Sequence, residues 1–211
     1  QACNIGFGDE VLVPSMTYVA TFQAIKATGA EPIACDINEE TYLIDLEDAV
    51  SKISKNTKAI IPVHYTGGVG NLDDLYSFAS KYKLRVIEDA AHAFGTKYRN
   101  KLVGSFGDIV CFSFDGIKNI TSGEGGCVVT NDLKIIENIK NSRLLGVEKD
   151  SDKRYNNSRS WNFNVSAQGW RYHMSNIMAA IGIEQLKKFD KFAVRRKQIA
   201  TAYDKLLSSN Q

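Results

Sequence analysis

From residue 10 to residue 89 the chain repeats one rhythm: a short apolar run, then a longer segment whose apolar residues recur every three to four positions. The runs fall at 10–13, 31–35, 59–63 and 85–87, and the periodic segments at 17–28, 46–53 and 72–82. A run that is apolar throughout, without alternation, suits a strand covered on both faces, and parallel strands need a long crossover that is usually a helix. Three such units in succession predict an α/β fold, a doubly wound and mostly parallel sheet between helices.

Beyond residue 89 the rhythm changes. Residues 96–103, centred on Arg99-Asn100, have the length of a small hairpin and not of a crossover helix. Strands are expected at 109–112 and 127–130, on either side of a glycine-rich segment, and a helix at 133–145. The stretch 148–168 is polar and predicts a long exposed loop. Ser175 then stands as the N-cap of one long helix or two, running through Ile177, Ile181, Leu186 and Phe189 toward Leu207.

Composition narrows the function classes. With 211 residues, 44% hydrophobic, the chain has core material for one domain or slightly more. Twenty-six Lys and Arg against 24 Asp and Glu leave a net charge of +2, too little to hold a nucleic-acid backbone, so no nucleic-acid partner is expected. Cys3, Cys35, Cys111 and Cys127 are scattered singly, without metal-ligand spacing, and read as small buried hydrophobes in a reducing cytoplasm. No apolar run approaches the roughly 18 to 20 residues of a membrane span, so no membrane partner is expected. A start at Gln1 that runs at once into the turn-like Gly6-Phe7-Gly8-Asp9 reads like a piece of something longer.

In an open parallel sheet, ligands bind beyond the carboxyl ends of the strands. That rule selects Asp89, Ser113 and the loop that carries Lys118. Asp89 is followed by Ala90, Ala91, His92 and Ala93, and small residues beside a carboxylate and an imidazole leave room for a planar ligand; the alternative is a helix N-cap. Lys118 lies between apolar Ile117 and Ile120 in a loop of glycines where backbone can approach a ligand closely. A desolvated lysine can form a Schiff base, and Ser113 with exposed backbone amides could hold a phosphate. Neither a Walker loop nor a GxGxxG fingerprint is present. Strand-end carboxylate, lysine and phosphate cradle together meet the needs of pyridoxal 5'-phosphate: a partner for the ring nitrogen, an amine for the aldehyde and an anchor for the phosphate.

At these residues the chain resembles the DegT/DnrJ/EryC/StrS-type nucleotide-sugar aminotransferases, which are fold-type-I pyridoxal-phosphate enzymes. The resemblance rests on GDEVLVPSMTYVAT, PVHYTG, VIEDAAHAFGTKY, GSFGDIVCFSF, KNITSGEGGCVVTND and GWRYHMSNIMAAIGIEQL, in the family's order from about Gly8 to Leu186. It implies a large cofactor-binding domain over 1–189, incomplete at its N-terminus, and at 190–211 a helix leading to a small C-terminal domain beyond the chain. It implies that Lys118 carries the cofactor and shuttles a proton, that Asp89 pairs with the ring nitrogen, that His92 sits near the phenolic oxygen, that Tyr18 stacks on the ring and that Ser113 binds the phosphate. Each has a plainer alternative: core aromatic for Tyr18, packing or capping residue for His92. His64 and Glu124 also match motifs, and a satisfied strand-end histidine and a loop cap account for them equally.

One position departs from the family pattern. Where members carry Asn and, two residues later, Arg, this chain has Arg171 and His173. Arg171 could bind the phosphate of the neighbouring subunit's cofactor, meet a sugar nucleotide's diphosphate, or point into solvent. The resemblance further implies a cytoplasmic homodimer with shared active sites. Its reaction would move an amino group from glutamate to a nucleotide-linked keto-6-deoxy sugar, 4-keto before 3-keto, through pyridoxamine phosphate, for surface glycan or related amino-sugar synthesis. Two other readings stand beside it: a pyridoxal-phosphate sugar dehydratase or deoxygenase, against which Lys118 counts because a histidine replaces the lysine in the best-known members, and a non-catalytic regulatory relative.

Overall fold

The computed structural model describes residues 1–148, 156 and 163–208. The polar stretch expected as a loop, 148–168, lies mostly outside the described residues. The chain divides into two compact units, Gln1–Phe112 with Cys127–His173, and Ser113–Gly126 with Met174–Gln211.

The first unit is the α/β body. Its elements run β1 (Glu10–Pro14), α1 (Val19–Lys26), β2 (Glu31–Cys35), α2 (Leu46–Lys52), β3 (Thr57–Ile60), α3 (Leu72–Tyr82), β4 (Arg85–Asp89), the hairpin β5 (Lys97–Tyr98) and β6 (Lys101–Leu102), β7 (Ile109–Ser113), β8 (Gly126–Thr130) and α4 (Leu133–Ser142). Six strands form one sheet in the order β2-β1-β3-β4-β7-β8, and the pairs β1/β2, β1/β3, β3/β4 and β4/β7 are parallel.

The two-residue pleat of the strands sorts the core into two faces. Leu12, Ile60 and Val86 join Ala49 of α2 and Leu72, Leu75, Phe78 and Ala79 of α3 on one side. Val11, Val13, Ala59 and Ile61 join Ile25 of α1 on the other. Burial on both faces is why these strands read as unbroken apolar runs.

Local chemistry sets the element ends. Asp45, Asn71 and Asp132 each cap a helix by accepting backbone N–H groups of its first turn, at the starts of α2, α3 and α4. The strand expected at 59–63 is instead β3 at Thr57–Ile60, because Pro62 has no N–H for the ladder. The chain runs on between β1 and β4 all the same: Ile61 N donates to Leu12 O of β1 at 2.8 Å, Asp89 N of β4 donates to Pro62 O at 2.9 Å, and Val63 bridges Asp89. Helix α4 ends at Ser142, short of the expected 145, since Leu145 adopts φ 64°. The expected hairpin is present, with Arg99 and Asn100 both at positive φ, as a two-residue turn of the twisted-strand type requires.

The second unit consists of the segment Ser113–Gly126 and two helices, α5 (Asn176–Leu186) and α6 (Phe189–Ser208). Ser175 caps α5 as expected, its Oγ accepting from Met178 N at 3.2 Å. Two helices, not one, cover the C-terminal stretch.

Candidate active site

Asp89 closes β4 and is held on every side. Its backbone N–H and C=O bond Pro62 O and His64 N, at 2.9 and 3.0 Å. Its carboxylate accepts from Thr21 Oγ1 at 2.8 Å through Oδ2 and from Ala91 N at 3.1 Å through Oδ1. Thr21 gives its one hydroxyl proton to Asp89, so in the 2.8 Å pair between Thr17 Oγ1 and Thr21 Oγ1 the donor is Thr17. Thr17 precedes α1 by two residues and Thr21 lies in its first turn, four residues on, so both hydroxyls fall on one side of the helix start. The repeated Thr in TYVAT was the available signal for this pair, and sequence reasoning did not assign it a role.

Tyr18 is the N-cap of α1, yet its side chain makes no capping hydrogen bond and stays 76% exposed. Helix stability favours Ser, Thr, Asp or Asn at that position. A large ring there, three residues before the Thr21 that grips Asp89, gives up a cap and presents an aromatic face. His92 is exposed, three residues beyond Asp89, with its ring 6.3 Å from that of Tyr65. Tyr18, Asp89 and His92 thus all belong to the carboxyl-end side of the first unit's sheet.

The motif histidine His64 is only 1% exposed, and its Nε2 lies 2.7 Å from Glu88 Oε2. Glu88 in turn accepts from Tyr76 Oη at 2.5 Å. His64 is therefore a bonded interior residue. A cleft of about 500 Å³ runs between the starts of α2 and α3, lined in part by Asp45, Asn71 and His64, and the Oδ1 atoms of Asp45 and Asn71 are engaged in the two caps.

Arg171 belongs to the first unit and is exposed. Its backbone lies on an antiparallel bridge to Leu144, flanked by Leu145 N donating to Trp170 O and Tyr172 N donating to Arg143 O, both at 3.0 Å. His173 follows, with its Nδ1 buried and unpartnered among the described residues.

Ser113 and Lys118 belong to the second unit. Phe114 N donates to Gly125 O at 2.8 Å and Ser122 N to Phe114 O at 2.9 Å, so the loop is tied shut near both ends. Ser113 Oγ accepts from Asp115 N at 3.3 Å, and Asp115 Oδ1 accepts from Ile117 N at 2.9 Å. These bonds shape the turn in which Lys118 N donates to Asp115 O at 3.1 Å. Within the same unit, Arg196 of α6 donates to Asn119 O at 2.9 Å and anchors the residue next to the lysine. Gly125 sits at φ 145°, where a Cβ would come within 2.5 Å of Met174 Cε and 2.9 Å of Ser122 Oγ. Lys118 is half-buried, and its ammonium makes no ion pair among the described residues. Glu124 is exposed and its carboxylate caps no amide of the loop among the described residues.

The donor set suits pyridoxal phosphate. A carboxylate offers about four lone-pair sites, and Asp89 uses two, which leaves acceptor capacity for a protonated ring nitrogen. Lys118 is not spent in a salt bridge, and Ser113 keeps a hydroxyl proton to donate. No helix among the described residues is long and apolar enough to cross a membrane, and no metal-holding cluster occurs among them.

A mostly parallel sheet with an anchored aspartate closing one strand, and a glycine loop with a half-buried lysine following its neighbour, is the architecture of the fold-type-I pyridoxal-phosphate transferases. The chain belongs to the DegT/DnrJ/EryC1/StrS aminotransferase family, whose profile matches residues 1–211. It is 45% identical over 203 residues to the protein MJ1066 of Methanocaldococcus jannaschii, a match covering 96% of this chain and 53% of that one. Among solved structures it is similar to Spr1654 of Streptococcus pneumoniae in its PMP form, with TM-score 0.87 and 31% identity over 96% of this chain and 56% of that one. It is likewise similar to Helicobacter pylori PseC, an aminotransferase involved in the biosynthesis of pseudoaminic acid. There the TM-score is 0.84 with 31% identity, over 94% of this chain and 51% of PseC. The chain thus spans about half the length of the relatives it matches.

Proposed function

We propose that this chain is the cofactor-binding part, over 1–189, of a pyridoxal-phosphate-dependent sugar aminotransferase, with 190–211 leading toward a small domain. The observation that carries the reading is Asp89: a strand-end carboxylate whose two oxygens are fixed by Thr21 and Ala91 while its remaining lone pairs are left for a ring nitrogen. Family membership and the likeness to Spr1654, described as a sugar aminotransferase, support a sugar as the amino acceptor.

When bound, the cofactor supplies an electron sink that lets an amino group pass from donor to acceptor, with pyridoxamine phosphate as the alternate form. The chain's own residues do the rest. Asp89 keeps the ring-nitrogen proton in place. Lys118 Nζ holds the cofactor between turnovers and moves the proton at the substrate carbon. Ser113 donates to the phosphate, Tyr18 covers one ring face, and His92 lies toward the phenolic oxygen. Arg171 offers a bidentate cation to a phosphate, that of the neighbouring subunit's cofactor in a homodimer. Glutamate is the amino donor, and the acceptor is a nucleotide-linked keto-6-deoxy sugar, 4-keto before 3-keto, in a cytoplasmic route to surface glycan or related amino sugars.

The test uses the full-length protein with glutamate and nucleotide-linked 4-keto and 3-keto sugars in separate reactions. Release of 2-oxoglutarate that depends on the sugar, is faster with the 4-keto compound and disappears in Lys118→Ala supports the proposal. Absence of 2-oxoglutarate with both sugars refutes it.

A further inference from the structure

Glu88 is a fully buried carboxylate, 0% exposed, one residue before the aspartate that defines the site. Strand alternation puts it on the same face as Val86, toward the core that α2 and α3 cover, while Asp89 faces α1 and Thr21. A carboxylate in such a place is costly unless fully hydrogen-bonded, and even a satisfied one returns little stability over an apolar side chain of the same volume. Its presence calls for a task other than packing.

Each of its two oxygens is hydrogen-bonded. Tyr76 of α3 accepts from Asp108 N at 3.0 Å and so directs its own proton to Glu88 Oε1 at 2.5 Å. Burial, and the carboxylate it bonds, push the Tyr76 phenol well above its ordinary pKa, so the phenol keeps that proton. His64 Nε2 bonds Glu88 Oε2 at 2.7 Å. Space is reserved for the arrangement: a Cβ on Gly107 would meet Tyr76 Oη and come within 2.6 Å of Glu88 Oε1.

His64 then links the network to the site. Its side chain grips Glu88, and its backbone N–H donates to Asp89 O at 3.0 Å. One residue thereby clamps two consecutive positions of β4 by two different groups. We propose that Glu88, with His64 and Tyr76, is a positioning residue that fixes the backbone of Asp89 and so the direction in which its carboxylate is offered to the cofactor's ring nitrogen. The proposal rests on the reading of Asp89 given above. Thr21 of α1 and the N–H of Ala91, in the turn after β4, hold the carboxylate, and Glu88 holds the main chain from the α3 side.

The test measures two properties of the full-length protein besides turnover: the dissociation constant for pyridoxal phosphate, and the pH dependence of the bound cofactor's absorbance. Glu88→Leu keeps the volume and removes the bonds. It is expected to weaken cofactor binding about tenfold, and to displace the absorbance titration in the direction given by Asp89→Asn. Glu88→Gln accepts from Tyr76 and donates to the other tautomer of His64, and recovers most of both. Phe78→Leu, a core change on the same face, lowers stability and moves neither. Tyr76→Phe, which keeps the ring and removes the hydroxyl with its bonds to Glu88 and Asp108 N, weakens binding about threefold and decides the matter if Glu88→Leu fails to fold. A folded Glu88→Leu, or failing that a Tyr76→Phe, with wild-type affinity and wild-type titration overturns the positioning role. An Asp89→Asn variant that matches wild type in both overturns instead the reading of Asp89 beneath it.

Discussion

Thr21→Val removes the hydroxyl that orients Asp89, while valine keeps the shape of threonine; the bond that Thr21 accepts from Thr17 goes with it. Thr21 is 6% exposed, and its Oγ1 donates to Asp89 Oδ2 at 2.8 Å. A hydrogen bond to a charged group contributes about 1.5–3 kcal/mol. Asp89 is half-buried, so water replaces part of the loss, and a stability change at the lower end, about 1.5 kcal/mol, is expected by urea unfolding. The effect on cofactor binding is bounded differently. If the carboxylate were freed to all three staggered χ1 wells, one productive, affinity would fall about threefold, or about 0.65 kcal/mol. Ala91 N still holds Oδ1, so threefold is the ceiling. Thr21→Ser supplies the contrast: it keeps the hydroxyl, loses one methyl, costs about 0.5–1.5 kcal/mol of stability and leaves affinity unchanged. Titration of apoprotein with pyridoxal phosphate reads both variants. Equal affinities for Thr21→Val and Thr21→Ser would refute the idea that this hydroxyl aims the carboxylate.

Gly107→Ala is expected to lose about 2–4 kcal/mol by urea unfolding, since Gly107 sits at φ 96° and its Cβ would enter the Tyr76–Glu88 bond; a change under about 0.5 kcal/mol would show that the turn relaxes freely. Burial pushes the Cys35 thiol up to about 11 and, with Asp89 nearby as a further cause, the Cys111 thiol up to about 12. Both folded values lie above the ordinary thiol value of 9.0, so the folded state holds protons that the unfolded chain releases. Their contribution to stability is therefore full below pH 9 and lost as pH rises from there through 11 to 12. Urea midpoints should fall across that window, less steeply in Cys111→Ala, and both thiols should resist alkylation at pH 8 in the folded protein.

The α/β body was legible because its signal is redundant. The central strands β1, β3 and β4 contribute to the core on both faces of the sheet, each crossover helix carries its own apolar period, and three units repeat the statement. Boundaries failed where one residue overrode the pattern: Pro62 cut β3 short, and the left-handed Leu145 ended α4 early. The carboxyl-end rule picked out Asp89, but the groups that fix it were harder to read. Thr17 and Thr21 lie 72 and 68 positions away, and a hydroxyl pair at helical spacing looks like any other helix start until the strand it faces is known.

The pair Glu88-Asp89 shows where the limit lies. Side by side in sequence they read as one acidic strand end. The pleat sends them to opposite faces, and the faces differ in kind: one a closed core with a tyrosine and a histidine waiting, the other the open end where α1 begins. Period two was in hand, with Val86 and Ile87 as the preceding pair, so the split could have been drawn. What the sequence lacked was a reason for the buried member to be tolerated, because its two partners come from a strand extension 24 residues upstream and a helix 12 residues upstream. A buried carboxylate is explained only by its bonds, and bonds between distant segments become visible only once the sheet has placed them. The same reasoning separates Tyr18 from an ordinary N-cap: it satisfies no backbone donor, so the exposed ring is best understood by what it can cover rather than by the helix it begins.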